Sequence, residues 1–169
     1  MAEQDITVRP FQPPDVPQLH GLMRALAEFE GYEFVATQAG IMERGLSENP
    51  QFEALVAHFS GSDKLIGMAV IYQIPYTYHL KPNLVLKELF VTEQARGAGV
   101  GEALFNAVKV RASVLGCGQL LWSVVPWNDK AKSFYSKLGG RMEDRWEGWI
   151  CEDFSAQPSS GSANHQEAF

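Results

Sequence analysis

Apolar residues along this chain follow two different periods. Between Asp15 and Glu30 they fall at Val16, Leu19, Leu22, Met23, Leu26, Ala27 and Phe29, the spacing of one face of an amphipathic helix. Asp15 stands where an N-cap belongs. Pro17 sits in the first turn, where its missing N–H costs little, and Gly31 ends the helix. Before it, ITVRP reads as a short strand closed by Pro10; a second, shorter helix is predicted after Thr37, ending near Ser47. QFEALVAHF and KLIGMAVIYQI read as an antiparallel pair of strands joined at Gly61-Ser62-Asp63, and the aromatic stretch YTYHLKPN as a loop. The densest apolar run, Leu84, Val85, Leu86, Leu89, Phe90 and Val91, is broken only by Lys87 and Glu88, as expected of a buried strand. Leu104, Ala107, Val108, Ala112 and Leu115 then return to helical spacing. GQLLWSVV is predicted as a strand, Asp129 to Lys137 as a short helix stopped at Gly139-Gly140, and RMEDRWEGWI as a final hairpin or strand pair.

Composition narrows the function classes. The 169 residues suit one domain, expected over residues 1–154, with the Ser/Gly/Gln-rich stretch from 155 to 169 as a flexible tail. Net charge is −6, which argues against a nucleic-acid partner. No apolar run reaches the length of a membrane span, and MAEQD lacks the basic-then-apolar pattern of a signal segment. Cys117 and Cys151 have neither metal nor disulfide-framework spacing, so the expectation is a reducing cytoplasm and no metal. The four histidines are scattered; His20 and His58 are read as structural.

The chemistry concentrates where the densest strand meets the next helix, through Thr92-Glu93-Gln94-Ala95-Arg96-Gly97-Ala98-Gly99-Val100-Gly101. Three alternating glycines let the backbone adopt positive φ and approach a ligand closely. A helix entered this way presents unpaired N–H groups and a positive dipole end, a natural site for phosphate. Arg96 adds a fork-shaped cation. The P-loop pattern is excluded, because no Lys-Ser or Lys-Thr pair follows. The dinucleotide fingerprint also fails: the glycine spacing is wrong and no acid closes the next strand, QLLWSVV. Glycines in such a turn also serve simply to make it tight, and spacing alone leaves both explanations standing.

Arg96-Gly97-Ala98-Gly99-Val100-Gly101 resembles the R-G-x-G-x-[GA] acetyl-CoA loop of the GCN5-related N-acetyltransferases (GNAT). Asn128-Asp129-Lys130-Ala131-Lys132-Ser133-Phe134-Tyr135-Ser136-Lys137-Leu138-Gly139 is similar to that family's second signature, N-x-x-A-x-x-F-Y-x-x-x-G. The two occur in the family's order, and the likeness covers residues 6–150. It implies an α/β (α+β) fold: a central mixed, mostly antiparallel twisted sheet, flanked by helices and splayed at its central strands. It implies acetyl-CoA as cosubstrate, held by Leu89, Phe90 and Val91 on the strand, Arg96 to Glu102 in the loop and helix start, and Asn128, Ala131 and Tyr135. It further implies a small-molecule amine as acceptor, with a protein or peptide amine, or a non-catalytic acyl-CoA-binding module, as the alternatives. It also implies a homodimer, to which the aromatics Trp146 and Trp149 of the final strands would contribute.

Acetyl transfer from a thioester to an amine has three physical requirements. An ammonium of pKa about 10 must lose a proton, the developing oxyanion must be stabilised, and the thiolate must leave. Tyr135 is the candidate acid for the sulfur, since a phenol is neutral at pH 7 and can donate. Phe134 and Tyr135 equally suit packing against the sheet. Within the family the chain most resembles the diamine (spermidine/spermine and thialysine) acetyltransferases, through ALAEFE, VPWNDKAKSFYSKLGG and EGW. That likeness implies an acceptor site with Phe29 and Glu30 after the first helix and Glu147 in the final hairpin; Glu28 and Glu33 add to this acidic lip or are simply a solvated helix end. One departure stands out. The subgroup's two adjacent acids on the central strand are here Lys87 and Glu88. Neighbouring strand residues face opposite sides, so Glu88 replaces the missing acid only if a bulge turns it.

Overall fold

A computed structural model describes residues 5–155. Its elements, in chain order, are β1 (Ile6–Pro10), α1 (Val16–Glu30), α2 (Gln38–Gly45), β2 (Glu53–Phe59), β3 (Leu65–Ile74), β4 (Asn83–Val91), α3 (Val100–Val114), β5 (Gln119–Trp122) and α4 (Asp129–Lys137). The strands form one sheet in the order β1-β2-β3-β4-β5. The first three pairings are antiparallel, and β4 with β5 is parallel, joined by the α3 crossover.

Both faces of this sheet are covered. Met68 and Val70 of β3 pack with Leu19, Met23 and Leu26 of α1. Their strand neighbours Ala69 and Ile71 point the other way, toward Val100, Leu104 and Val108 of α3. This double coverage explains why β2 and β3 read as nearly continuous apolar runs instead of alternating. Each fully buried side chain of this size contributes about 1.5–3 kcal/mol relative to exposure. Phe105 is the largest, and its ring meets those of Trp122, Phe134 and Tyr135, which binds α3, β5 and α4 together.

Three expectations are corrected. Asp15 occupies the N-cap position of α1, but its side chain does not cap it. The buried carboxylate instead accepts from Arg9 Nη1 (2.6 Å) and Nη2 (3.0 Å) and from the Gln12 N–H (2.8 Å). A guanidinium fork satisfies a buried carboxylate better than one amide does. Phe29 belongs to the apolar stripe of α1, yet it is 46% exposed, because the helix ends beyond the sheet's cover. RMEDRWEGWI forms no strand: residues 141–155 contain no regular element, and Trp146 and Trp149 are 77% and 91% exposed. Five charged side chains interrupt RMEDRWEGWI, and among the described residues it pairs with no strand. The tail expected from residue 155 onward lies, apart from Ser155, outside the described residues. No helix among the described residues is long and apolar enough to cross a membrane.

Candidate active site

Two irregularities in β4 open the site. Opposite β3, Val70 pairs with Glu88 but Ile71 pairs with Leu86, so Lys87 is an extra residue in β4. This is the bulge that the Lys87-Glu88 pair required. On its other side β4 pairs with β5 only from Asn83 to Leu86, opposite Gln119 to Trp122. From Lys87 to Val91 that edge has no strand partner among the described residues. The two strands part there, around a cleft of about 300 Å³ whose floor is β4 and whose far wall is Ser123, Val124 and Val125.

The bulge breaks the alternation of side chains, and Lys87 and Glu88 both line the cleft. Lys87 is exposed, whereas Glu88 is mostly buried and its Oε2 has no hydrogen-bond partner among the described residues. Burial raises the Glu88 pKa above the usual carboxylate value and Glu30 adds to this, while Lys87 opposes it. Glu30 reaches the same cleft from the end of α1. Tyr135 comes from the opposite wall. Its ring lies 5.0 Å from Trp122 and 5.4 Å from Phe105, and burial, with a contribution from Glu30, pushes its phenol up to about 12. Tyr135 therefore keeps its proton throughout the neutral range. Gly140 seats the helix that carries it: the Gly140 N–H donates to Tyr135 O (2.8 Å), and a Cβ there would come within 2.6 Å of the Trp122 ring.

A second cavity, of about 370 Å³, shares Leu89, Val91, Arg96 and Phe134 with the first and continues it to the start of α3. Gly97 and Gly99 have φ of 82° and 85°, in the left-handed region that favours glycine. A Cβ at Gly97 would meet nothing within 4 Å, and one at Gly99 only Ile6 Cδ1 at 3.9 Å. Gly99 is the N-cap of α3 and supplies no side-chain cap, so the first N–H groups of the helix face this space. Arg96 Nε donates to Val91 O (3.2 Å), which leaves its terminal nitrogens free of any carboxylate among the described residues. An anionic group fits this end and a cationic one fits the Glu30–Glu88 end.

Most predicted site residues converge here. Leu89, Phe90, Val91, Arg96, Asn128, Ala131 and Tyr135 line the first cavity with Phe29, Glu30, Lys87 and Glu88, while Gly97, Gly99, Val100, Gly101 and Glu102 line the second. Asn128 Oδ1 accepts from the Ala131 N–H (3.0 Å), so it caps α4 as it faces the cleft. Ala98 lines neither cavity, since it is the exposed residue of the turn between the two left-handed glycines. Glu147 lies on the exposed 141–155 segment and Glu28 and Glu33 on the outer surface, all outside the lining. Without a final hairpin nothing carries Glu147 inward. Sequence reasoning missed the β5-side wall and Trp127, whose ring touches Phe29 (centroids 5.6 Å apart) at the rim. The VPWN stretch contained that signal, but only the asparagine was read.

Comparison with known proteins fits this geometry. A mouse thialysine N-epsilon-acetyltransferase is 29% identical over 158 residues, spanning 89% of this chain and 92% of its own. An L-ornithine N5-acetyltransferase of Arabidopsis thaliana is 25% identical over 82% of this chain and 81% of its own. In fold, the chain resembles the crystal structure of a possible acetyltransferase from Clostridium difficile 630, with a TM-score of 0.77 over 89% of this chain and 99% of that one at 20% identity. The profile of the acetyltransferase (GNAT) family matches residues 19–140, across the bulged strand, the glycine turn and the Tyr135 helix, and the chain belongs to that family of acetyl-CoA-dependent N-acetyltransferases.

Proposed function

We propose that the protein acetylates a primary amine of a small, amino-acid-like acceptor, and that the two joined cavities hold donor and acceptor. The observation that carries this reading is the bulge at Lys87, which sets a cation and a partnerless carboxylate side by side in one cleft. An acceptor with both an amine and a carboxylate complements that pair, and a plain polyamine complements only half of it. Thialysine and ornithine, named for two of the relatives, are both amino acids with a second amine.

Acetyl-CoA, when bound, supplies an activated thioester. Arg96 and the first N–H groups of α3 bind its diphosphate, and the open space above Gly97 and Gly99 admits it. The unpaired β4 edge at Leu89, Phe90 and Val91 offers backbone N–H groups to an oxyanion. Glu88 takes the proton from the acceptor ammonium; its raised pKa brings it closer to the operating pH than an ordinary carboxylate. Tyr135 Oη holds a proton and gives it to the departing sulfur. Glu30 and Phe29 form the acceptor wall. The reading includes a homodimer, supported by the exposed Trp146 and Trp149, and a cytoplasmic location, supported by the free Cys117 and Cys151.

The test is thiol release from acetyl-CoA with polyamines, thialysine, ornithine, lysine, other amino acids and peptides. Diamino acids should lead the ranking. Release with peptides alone, or with no amine, would overturn the reading. Lys87→Glu reverses one rim charge; with exposed pairs worth about 0.2–1 kcal/mol each way, up to about 2 kcal/mol in all, spermidine should gain on thialysine by up to about thirtyfold in kcat/KM. An unchanged ratio would show that Lys87 does not meet the acceptor.

A further inference from the structure

The rim of the cleft carries a chain of aromatic and cationic contacts that the acetyl-transfer chemistry does not require. Trp127, in the loop between β5 and α4, meets Phe29 of α1 edge-on at 5.6 Å. Arg96, in the loop between β4 and α3, holds its guanidinium 5.6 Å from the Phe29 ring and 5.9 Å from the Phe90 ring. Three separate elements therefore meet across the opening between β4 and β5.

These contacts are not core packing. Phe29 is 46% and Trp127 58% exposed, and neither belongs to a buried cluster. Large rings left this exposed contribute little to the fold, whereas they restrict a long, flexible arginine. Arg96 has four rotatable side-chain bonds, and among the described residues no carboxylate holds it. The two rings and the Val91 carbonyl fix the guanidinium while leaving its terminal nitrogens unengaged. Phe29 is shared: one partner is the diphosphate-binding Arg96, and its own ring lines the acceptor wall.

We propose that Trp127 is a positioning residue that holds Phe29 against Arg96, so that it sets the donor affinity without contacting the donor and links donor binding to the acceptor wall. This rests on the reading of Arg96 as a diphosphate ligand. A stacked cation at a partly exposed site is held by about 0.5–1 kcal/mol per ring, so losing Trp127, and with it the hold of the Phe29 ring, should weaken donor binding about two- to fivefold.

The experiment is calorimetric titration of coenzyme A alone, which allows no turnover, into wild type, Trp127→Ala, Trp127→Phe, Trp127→Leu, Arg96→Ala and the Trp127→Ala/Arg96→Ala double variant. Melting temperatures are recorded for each. Trp127→Ala should lose about two- to fivefold in affinity with its melting temperature nearly unchanged, Trp127→Phe should recover most of that loss, and Trp127→Leu should not. In the Arg96→Ala background, Trp127→Ala should have no further effect. Wild-type affinity in Trp127→Ala and Trp127→Leu, or additive losses in the double variant, would overturn the proposal while leaving the diphosphate site intact. If Arg96→Ala itself binds coenzyme A normally, the diphosphate reading fails and the proposal with it.

Discussion

Glu88→Gln should make the protein more stable and nearly inactive. Glu88 sits in the cleft with one carboxylate oxygen that is buried and unbonded, and burial is the main cause of its raised pKa. The folded protein therefore bears the cost of an incompletely satisfied charge near neutral pH. An unpaired buried charge costs more than the about 1–3 kcal/mol of an unpaired neutral polar group, and the amide of Gln, being uncharged, should relieve about 1–2 kcal/mol of that excess. For a chain of this size the melting temperature should rise by roughly 2–8 °C. The sign with pH follows from the direction of the shift. A carboxyl whose folded pKa exceeds its unfolded value contributes stability that is fully present below the unfolded value and is lost as pH rises through the folded one. The gain from Gln should be full above the raised pKa, shrink as pH falls toward the ordinary value of 4.5, and vanish below it. Thermal melts of both proteins from pH 4 to 8, with kcat/KM profiles over the same range, test this. Equal melting temperatures at pH 7.5, or a gap that widens on acidification, would refute the reasoning about burial; unimpaired turnover would remove Glu88 as the base.

Tyr135→Phe keeps the ring against Trp122 and Phe105 and removes only the hydroxyl. Stability and coenzyme A affinity should survive, while turnover falls about 10²–10⁴-fold in thiol-release kinetics. Gly99→Val forces a β-branched residue to φ 85° and fills the donor space, so binding should disappear with about 1–3 kcal/mol of added strain. At Gly101 a Cβ meets Phe134 at an ordinary 3.5 Å; Gly101→Ala should fold as well as wild type or better by a few tenths of a kcal/mol, yet bind coenzyme A more weakly in calorimetry. Asp15→Ala strips the partner from Arg9 and should cost about 3 kcal/mol in urea denaturation, the low end for a buried pair because Arg9 is partly exposed. Arg9 holds the Asp15 carboxyl below its usual range, so this contribution is present above the ordinary carboxylate pKa and should be lost as pH falls through the folded value.

Local chemistry was legible in the sequence where it decides structure by itself. The run from Leu84 to Val91 forms a strand that begins one residue earlier, at Asn83, and Asp129 to Lys137 has its predicted bounds, because an apolar, partly β-branched run and an Asn cap with closing glycines are self-contained signals. The strand over GQLLWSVV came out shorter, ending at Trp122, since β4 turns away there and no periodicity records where a neighbour departs. Phe29 shares the apolar stripe of α1 yet stays exposed at the cleft, because a helical stripe does not tell sheet cover from the solvent beyond it. Lys87 and Glu88 were visible as charges in an apolar run, but the bulge that turns both into the cleft depends on register against Val70 and Ile71. The expected hairpin after Gly140 failed for a similar reason: a strand needs a partner, and composition cannot supply one.

The gap between β4 and β5 means that the protein without ligand has an incomplete sheet at its centre. From Glu88 to Val91 the strand is paired on its β3 side only among the described residues, so a bound molecule that runs along the other side would take the place of a missing strand. Occupancy and folding are then parts of one equilibrium. A ligand at about a hundred times its dissociation constant adds roughly 2.7 kcal/mol to the folded state. Saturation with donor should therefore raise the melting temperature of the protein in a thermal scan, and removal of the donor should return it to the lower value.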